Sequence, residues 1–293
     1  MSRKRNKRPA RRMARTGGRT FRAAVLAFAT TFAGGLASFV GWDIVPLAIT
    51  AGLDRPAAAV GAWPSPARPP ATVTAHFGAC RHHFPHGEPP AVAAPEPVAL
   101  CFDAFAVLYS GTAKTPVYVV ERLTSKSLRA AKGIPRSDRF YEEARLPSRF
   151  RATLQDYRGS GYDRGHMAPA GDMPTAAAKA QSFSLANMVP QHPALNQVSW
   201  NRIEQSTRKY AGRAEQDVYV YTGPHFGKTP ATIGQGRVWV PTATWKVVYV
   251  PDSGRRWAYW AANDGGPHSL KPIEYRAFLA RGGPDVLQSA AAD

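Results

Sequence analysis

The sequence predicts an α+β domain built on a mixed, mainly antiparallel sheet. Three observations carry this expectation. Hydrophobic residues make up 44% of the 293-residue chain and charged residues 20%, which is enough apolar mass to fill a core. Segments rich in aromatic and β-branched residues recur between residues 102 and 261. Helical patterns fall among them without the strict strand–helix–strand alternation of a doubly wound sheet.

The elements follow in order. Residues 102–109 (FDAFAVLY) and 117–123 (VYVVERL) read as strands. The turn Ser110-Gly111-Thr112-Ala113 between them makes a hairpin or a pair of neighbours. A polar, basic stretch runs over residues 129–151. Residues 174–184 read as a helix with Pro174 suited to its first turn. Residues 194–211 place apolar Leu195, Val198 and Ile203 among charges, a second helix. Strands are expected at 217–222, 237–241, 244–250 and 256–261, and a last helix at 271–280.

Ahead of this body lies a segment of different composition. Residues 1–22 hold ten basic residues and no acidic one. Residues 23–42 are uncharged, rich in Ala, Leu, Phe and Val, and long enough to span a bilayer as a helix. Positive charge before an apolar run keeps that side in the cytoplasm and places the body across the membrane. The segment reads as a retained signal anchor or as a signal peptide. The length of the run favours the anchor, while Ala57-Ala58-Ala59 offers small residues for cleavage. An organelle transit peptide fits less well, because such peptides are amphipathic. Residues 43–74 form a Pro- and Ala-rich linker, and 75–293 the folded domain. The expected location is therefore outside the cytoplasm, anchored facing the periplasmic side or secreted.

Cys80 and Cys101 are the two cysteines of the chain. In an exported protein an even count points to a disulfide. The competing reading is a metal site with His82, His83 and His86. No second ligand pair stands at zinc-finger spacing. The histidines then read as solvated loop residues.

The charge is unevenly spread. Residues 56–293 hold 27 basic and 18 acidic residues, about +9. A basic body suits a polyanion, either nucleic acid or anionic lipid. Within it, Asp163-Arg164-Gly165-His166 crowds acid, base, glycine and imidazole into four positions. We read it as a polar turn, since Gly165 has no side chain to pack and Arg164 is charged. The residue types suit phosphodiester chemistry. Neutral His166 can take a proton near pH 7. The Arg164 fork matches phosphate oxygens. Asn196 offers a hard neutral oxygen to Mg²⁺, which needs few protein ligands. Glu204 lies eight residues on, so both point to nearly one face of a helix. Arg208, four residues further, can pair with Glu204 or reach phosphate. Blander roles exist for each: Asn196 as a helix N-cap, Glu204 and Arg208 as an exposed ion pair, Trp200 as core, Asn187 and Asp163 as loop-fixing residues. His192 and His225 read as bystanders, and Lys246 receives no role.

The segment Tyr162-Asp163-Arg164-Gly165-His166-Met167-Ala168-Pro169 resembles the D-R-G-H signature of the DNA/RNA non-specific endonucleases. Leu185-Ala186-Asn187-Met188-Val189-Pro190-Gln191 is similar to the family's L-S-N-x-x-P-Q segment, with Ala186 for its serine. Residues 195–204 resemble its L-N-Q-x-x-W-x-x-L-E helix, with Ile203 for its leucine. Tyr221-Thr222-Gly223-Pro224 and the run from Val240 to Val248 resemble its later strands. The resemblance covers roughly residues 75–280.

This resemblance implies a ββα-metal active site and Mg²⁺-dependent hydrolysis of DNA and RNA to 5′-phosphate ends, with Mn²⁺ as a substitute. It implies His166 as general base, Asn196 as direct metal ligand, Glu204 as holder of a metal water, and Arg164 and Arg208 at the phosphate. The family includes homodimers. Two other classes remain at this level: an inactive, membrane-tethered nucleic-acid binder, and a protein whose basic segment grips lipid headgroups. The second leaves residues 163–208 unexplained.

Overall fold

The computed structural model describes residues 73–288. The basic segment, the apolar run 23–42 and residues 43–72 of the linker lie outside the described residues. Among the described residues no helix is long and apolar enough to cross a membrane.

The strands are β1 (Pro97–Cys101), β2 (Phe105–Ser110), β3 (Thr115–Leu123), β4 (Asp163–His166), β5 (Met188–Gln191), β6 (Val218–His225), β7 (Thr232–Ile233), β8 (Val238–Trp239), β9 (Ala243–Val250), β10 (Arg255–Ala262) and β11 (Ile273–Glu274). The α-helices are α1 (Ser125–Ala130), α2 (Leu154–Tyr157), α3 (Ala176–Gln181), α4 (Asn201–Ala211) and α5 (Tyr275–Ala280). Seven strands form one sheet in the order β1-β2-β3-β6-β9-β10-β11. Every neighbouring pair in it is antiparallel, so the expected mixture resolves to an all-antiparallel sheet.

Both faces of this sheet are covered. Every residue of β6 and of β9 is buried. That explains why they read as continuous apolar runs rather than alternating ones. On one face Phe77, Phe84, Tyr118, Tyr221, Trp245 and Phe278 form a cluster. Phe278 of α5 packs its ring 5.2 Å from that of Trp245. Fully burying a side chain of this size stabilises by about 1.5–3 kcal/mol. On the other face two clusters form. One gathers Val107, Val119, Met167 and Val189, the other Leu195, Trp200, Ile203, Val220 and Val248. This second face holds β4, β5 and α4.

The N-terminal 3₁₀ segment Val73–His83 lies against β1 and β2 and is stapled there by the Cys80–Cys101 disulfide. His83 is buried, not solvated as expected. Its Nε2 lies 3.0 Å from the Phe102 carbonyl oxygen. Burial lowers its pKa to about 4, which keeps the ring neutral. His82 and His86 are exposed. Reducing the disulfide should lower stability by roughly 3 kcal/mol, the loop-entropy value for a closed loop of this length. Urea denaturation with and without reductant measures this; an unchanged midpoint would show that the staple constrains nothing.

Several elements depart from the sequence reading. The first expected strand, 102–109, starts only at Phe105 as β2: a turn at 102–104, across which Phe102 and Phe105 stack at 4.3 Å, separates it from β1, which was not expected. Helix α3 is shorter than 174–184. Thr175, not Pro174, starts it, by accepting a hydrogen bond from the Ala178 amide. The last helix begins at Tyr275 because Ile273–Glu274 pair with β10. Helices α1 and α2 were not expected. Thr124 with Ser127 and Thr153 with Asp156 cap them reciprocally.

Candidate active site

The main correction concerns Asp163–His166, which forms strand β4, not a turn. It pairs antiparallel with β5 in a separate two-stranded sheet, Asp163 opposite Gln191 and His166 opposite Met188. Gly165 is what makes this possible. A Cβ there would fall 2.6 Å from the Gln191 Cβ, so the absent side chain admits the neighbouring strand's glutamine. The Asn187 side chain locks the far end. It accepts from the Ala168 amide and donates to the Ala168 and Ser182 carbonyls, each within 2.9 Å. This is the loop-fixing role expected of it.

After β5 the chain turns directly into helix. Leu195–Trp200 is a π-helical turn and α4 continues from Asn201. A single α-helix over 194–211 was expected. The wider π turn changes the phase between Asn196 and Glu204, and such turns occur chiefly at functional sites. Asn196 is no N-cap. Its side-chain amide donates to Asp163 Oδ2 at 2.9 Å, and Gln197 Nε2 donates to the same oxygen at 2.9 Å. The carboxylate can only accept, so it turns the Asn196 NH₂ toward itself and leaves Oδ1 pointing elsewhere. Asp163 therefore orients an amide across two elements.

Arg164 and Asn196 line one open recess of about 610 Å³, with Asp163, Arg136, Arg158 and Phe140. The Arg164 guanidinium lies 4.2 Å over the Phe140 ring. His166 sits behind that ring, its own centroid 5.7 Å from Phe140 and 5.1 Å from Phe183. Its Nε2 is buried and has no hydrogen-bond partner. Burial, reinforced by the positive charge of Arg136, lowers the His166 pKa to about 3, so the imidazole is neutral.

Glu204 and Arg208 belong to a neighbouring cluster that the sequence did not foretell. Arg208 is ion-paired with Asp172, not with Glu204. The reason is local: Gly171 beside Asp172 lacks a Cβ, which would lie 2.7 Å from an Arg208 terminal nitrogen. Under α4, the sheet presents Glu121 and Lys246, both buried to 1% exposure. Lys246 donates to Thr222 Oγ1 at 2.6 Å and lies 5.5 Å from the centre of the Trp200 ring. Lys246 is thus a buried counter-ion rather than a phosphate ligand. Burial raises the Glu204 pKa to about 7; Lys246 opposes the rise and Asp172 adds to it. Burial raises Glu121 and Asp172 as well. Burial lowers Lys246, against the pull of Glu204, Glu121 and Asp172.

The structure thus brings Arg164 and Asn196 to one recess, His166 behind its wall, and Glu204 with Arg208 into one charged cluster. Arg136 connects them: its charge acts on both His166 and Glu204. Sequence reasoning missed Arg136, Asp172 and Glu121. A lysine within the apolar run of residues 244–250 was the visible signal for Lys246. Trp200 is core, as expected. Among the described residues no group of three or more His, Cys, Asp or Glu could hold a metal.

The fold that carries this arrangement is shared with known proteins. The chain belongs to the DNA/RNA non-specific endonuclease family, whose model matches residues 90–279. Nuclease C1 of Cunninghamella echinulata var. echinulata is 39% identical over 171 residues, 54% of this chain and 68% of that protein. Human mitochondrial endonuclease G is 37% identical over 163 residues, 52% of this chain and 54% of that one. A chain in a crystal structure of an EndoG/EndoGI complex superposes with a TM-score of 0.59 at 26% identity, covering 73% of this chain and 91% of that chain.

Proposed function

We propose that the protein is a divalent-metal-dependent endonuclease that hydrolyses DNA and RNA with little base preference and leaves 5′-phosphate ends. The observation that carries this reading is the recess that brings Arg164, Arg136 and an Asn196 amide turned by Asp163 together, with His166 behind its Phe140 wall. His166 takes the proton of the attacking water. Arg164, Arg136 and Arg208 hold the phosphate oxygens. The bond from phosphorus to the 3′ oxygen breaks, and the phosphate stays on the 5′ side. Phosphate contacts cannot see the 2′-OH or the base edges, which supports action on both nucleic acids.

The residues fit a magnesium ion. With its NH₂ engaged by Asp163, Asn196 has a free hard oxygen, and Mg²⁺ keeps most of its waters and needs few protein ligands. Asn196 would bind it directly and Glu204 would hold one of its waters; Mn²⁺ would substitute. Bound there, the ion would supply positive charge to the phosphate and the departing oxygen. The disulfide supports the proposed location outside the cytoplasm.

The purified full-length chain should nick plasmid DNA and degrade RNA with Mg²⁺ and stop in EDTA. Asn196→Ala should raise the Mg²⁺ concentration needed for half-maximal rate by about 10-fold or more, while DNA binding in EDTA stays within about twofold. An unchanged Mg²⁺ titration would remove Asn196 from the metal site. Binding without cleavage at any metal concentration would favour the inactive nucleic-acid binder.

A further inference from the structure

Beside the Asp172–Arg208 pair, and sharing no lining residue with the recess that holds Arg164, a groove of about 360 Å³ runs between α1 and the C-terminal half of α4. Its polar lining comes chiefly from Arg129, Lys132, Gln205, Arg208, Lys209 and Arg213. No Asp or Glu lines it. The ion pairs among the described residues engage Arg208 but not Arg129, Lys132, Lys209 or Arg213. Those four are exposed. Such a concentration of one charge sign is self-repelling unless an anion enters it.

The groove is built rather than accidental. Leu128 of α1 is buried in the same cluster as Ile203 and Ala211 of α4, which fixes the two helices side by side. Its floor continues through Gly171 to Arg208, so one end opens on the charged cluster of the candidate active site.

We propose that this groove is a second phosphate-binding subsite, which holds the backbone of the bound nucleic acid away from the bond being cut. The inference rests on the nuclease reading above and deepens it. A strand whose scissile phosphate lies near Arg164 and Arg208 continues past Gly171, and its next phosphates meet Arg129 and Lys132 on one wall and Lys209 and Arg213 on the other. Arginine and lysine there contact phosphate oxygens without reading sequence. The subsite therefore raises affinity for long substrates and leaves the chemical step alone. A plainer role for the same cations is to offset the negative C-terminal ends of α1 and α4.

The test uses the full-length chain and two double variants, Arg129→Ala/Lys132→Ala and Lys209→Ala/Arg213→Ala. Binding to a 20-base-pair duplex is measured in EDTA across a salt series. Each lost phosphate contact should make the slope of log K against log [salt] shallower by about 0.9, hence by about two for each double variant. With Mg²⁺, hydrolysis of bis(p-nitrophenyl) phosphate, too small to reach the groove, should stay within about twofold of wild type, while KM for long DNA rises. An unchanged salt slope with a lowered melting temperature would assign the cations to the helix ends and overturn the subsite. Equal loss on the small and the long substrate would overturn it too, because damage would then lie at the chemistry. So would weaker binding to phosphatidylglycerol vesicles with an unaltered DNA slope. If the wild type cleaves neither substrate, the nuclease reading fails, and the salt slope in EDTA still decides whether the groove takes phosphate.

Discussion

Replacing His166 with alanine should lower phosphodiester cleavage by about 10²–10⁴-fold, the usual cost of removing a general base, and leave DNA binding nearly unchanged. The geometry separates this loss from a folding defect. His166 contributes a buried ring against Phe140 and Phe183, and its Nε2 has no partner. Alanine therefore removes no hydrogen bond that the described fold makes through this atom.

A stability measurement supplies an independent check. The folded pKa of about 3 lies below the ordinary histidine value of 6.5, so the unfolded chain binds this proton more readily. Stability linked to His166 is therefore fully present above about pH 6.5 and is lost as pH falls toward 3, at about 1.4 kcal/mol per pH unit. Glu204 works in the opposite sense. Its folded pKa of about 7 lies above 4.5, so its contribution is lost as pH rises through that interval. The difference between His166→Ala and wild type isolates the histidine. The variant should show a shallower loss of stability between pH 6.5 and pH 4. Near-wild-type turnover would remove His166 from the mechanism, and parallel stability curves would deny the burial argument.

The sheet was legible because its strands carry long aromatic and β-branched runs, and such runs survive in any environment that buries both faces. The short strands were not. Asp163–His166 looks like a turn because its residues are polar and one is glycine, and its strand character is supplied by β5 and the Gln191 side chain. The chemistry-bearing residues could be read individually, since Arg164 and His166 stand two positions apart in Asp163-Arg164-Gly165-His166 and Asn196 falls in the distinct segment 195–204. Their partners could not. Asp172 meets Arg208 across 36 positions, and Glu121 meets the site only because β3 pairs with β6, whose other neighbour is β9. The π turn is equally invisible in a helical pattern, because the apolar spacing of Leu195, Val198 and Ile203 reads the same for an ordinary α-helix.

Replacing Lys246 with methionine should cost about 3–5 kcal/mol, the typical result of leaving buried charge without its partner. Three carboxyl groups, Glu121, Asp172 and Glu204, face this one buried lysine, and Arg208 answers Asp172 from the other side. Methionine fills the same volume, so the loss would be electrostatic rather than a cavity effect. The carboxyls respond by taking up protons, and the variant should therefore be least stable at high pH, where protonation is hardest. Adding Glu121→Gln removes one buried acid, whose Oε1 has no hydrogen-bond partner. The double variant should regain about half of what Lys246→Met loses, and urea denaturation of the four proteins in the cycle measures the coupling directly. The single variant should also lose activity where it remains folded, because without Lys246 nothing opposes the rise of the Glu204 pKa as strongly and less of this carboxyl is ionised on the helix that carries Asn196. A loss below about 1 kcal/mol, with no dependence on pH, would mean that the three acids are already neutral and that the lysine serves only to fill space under Trp200.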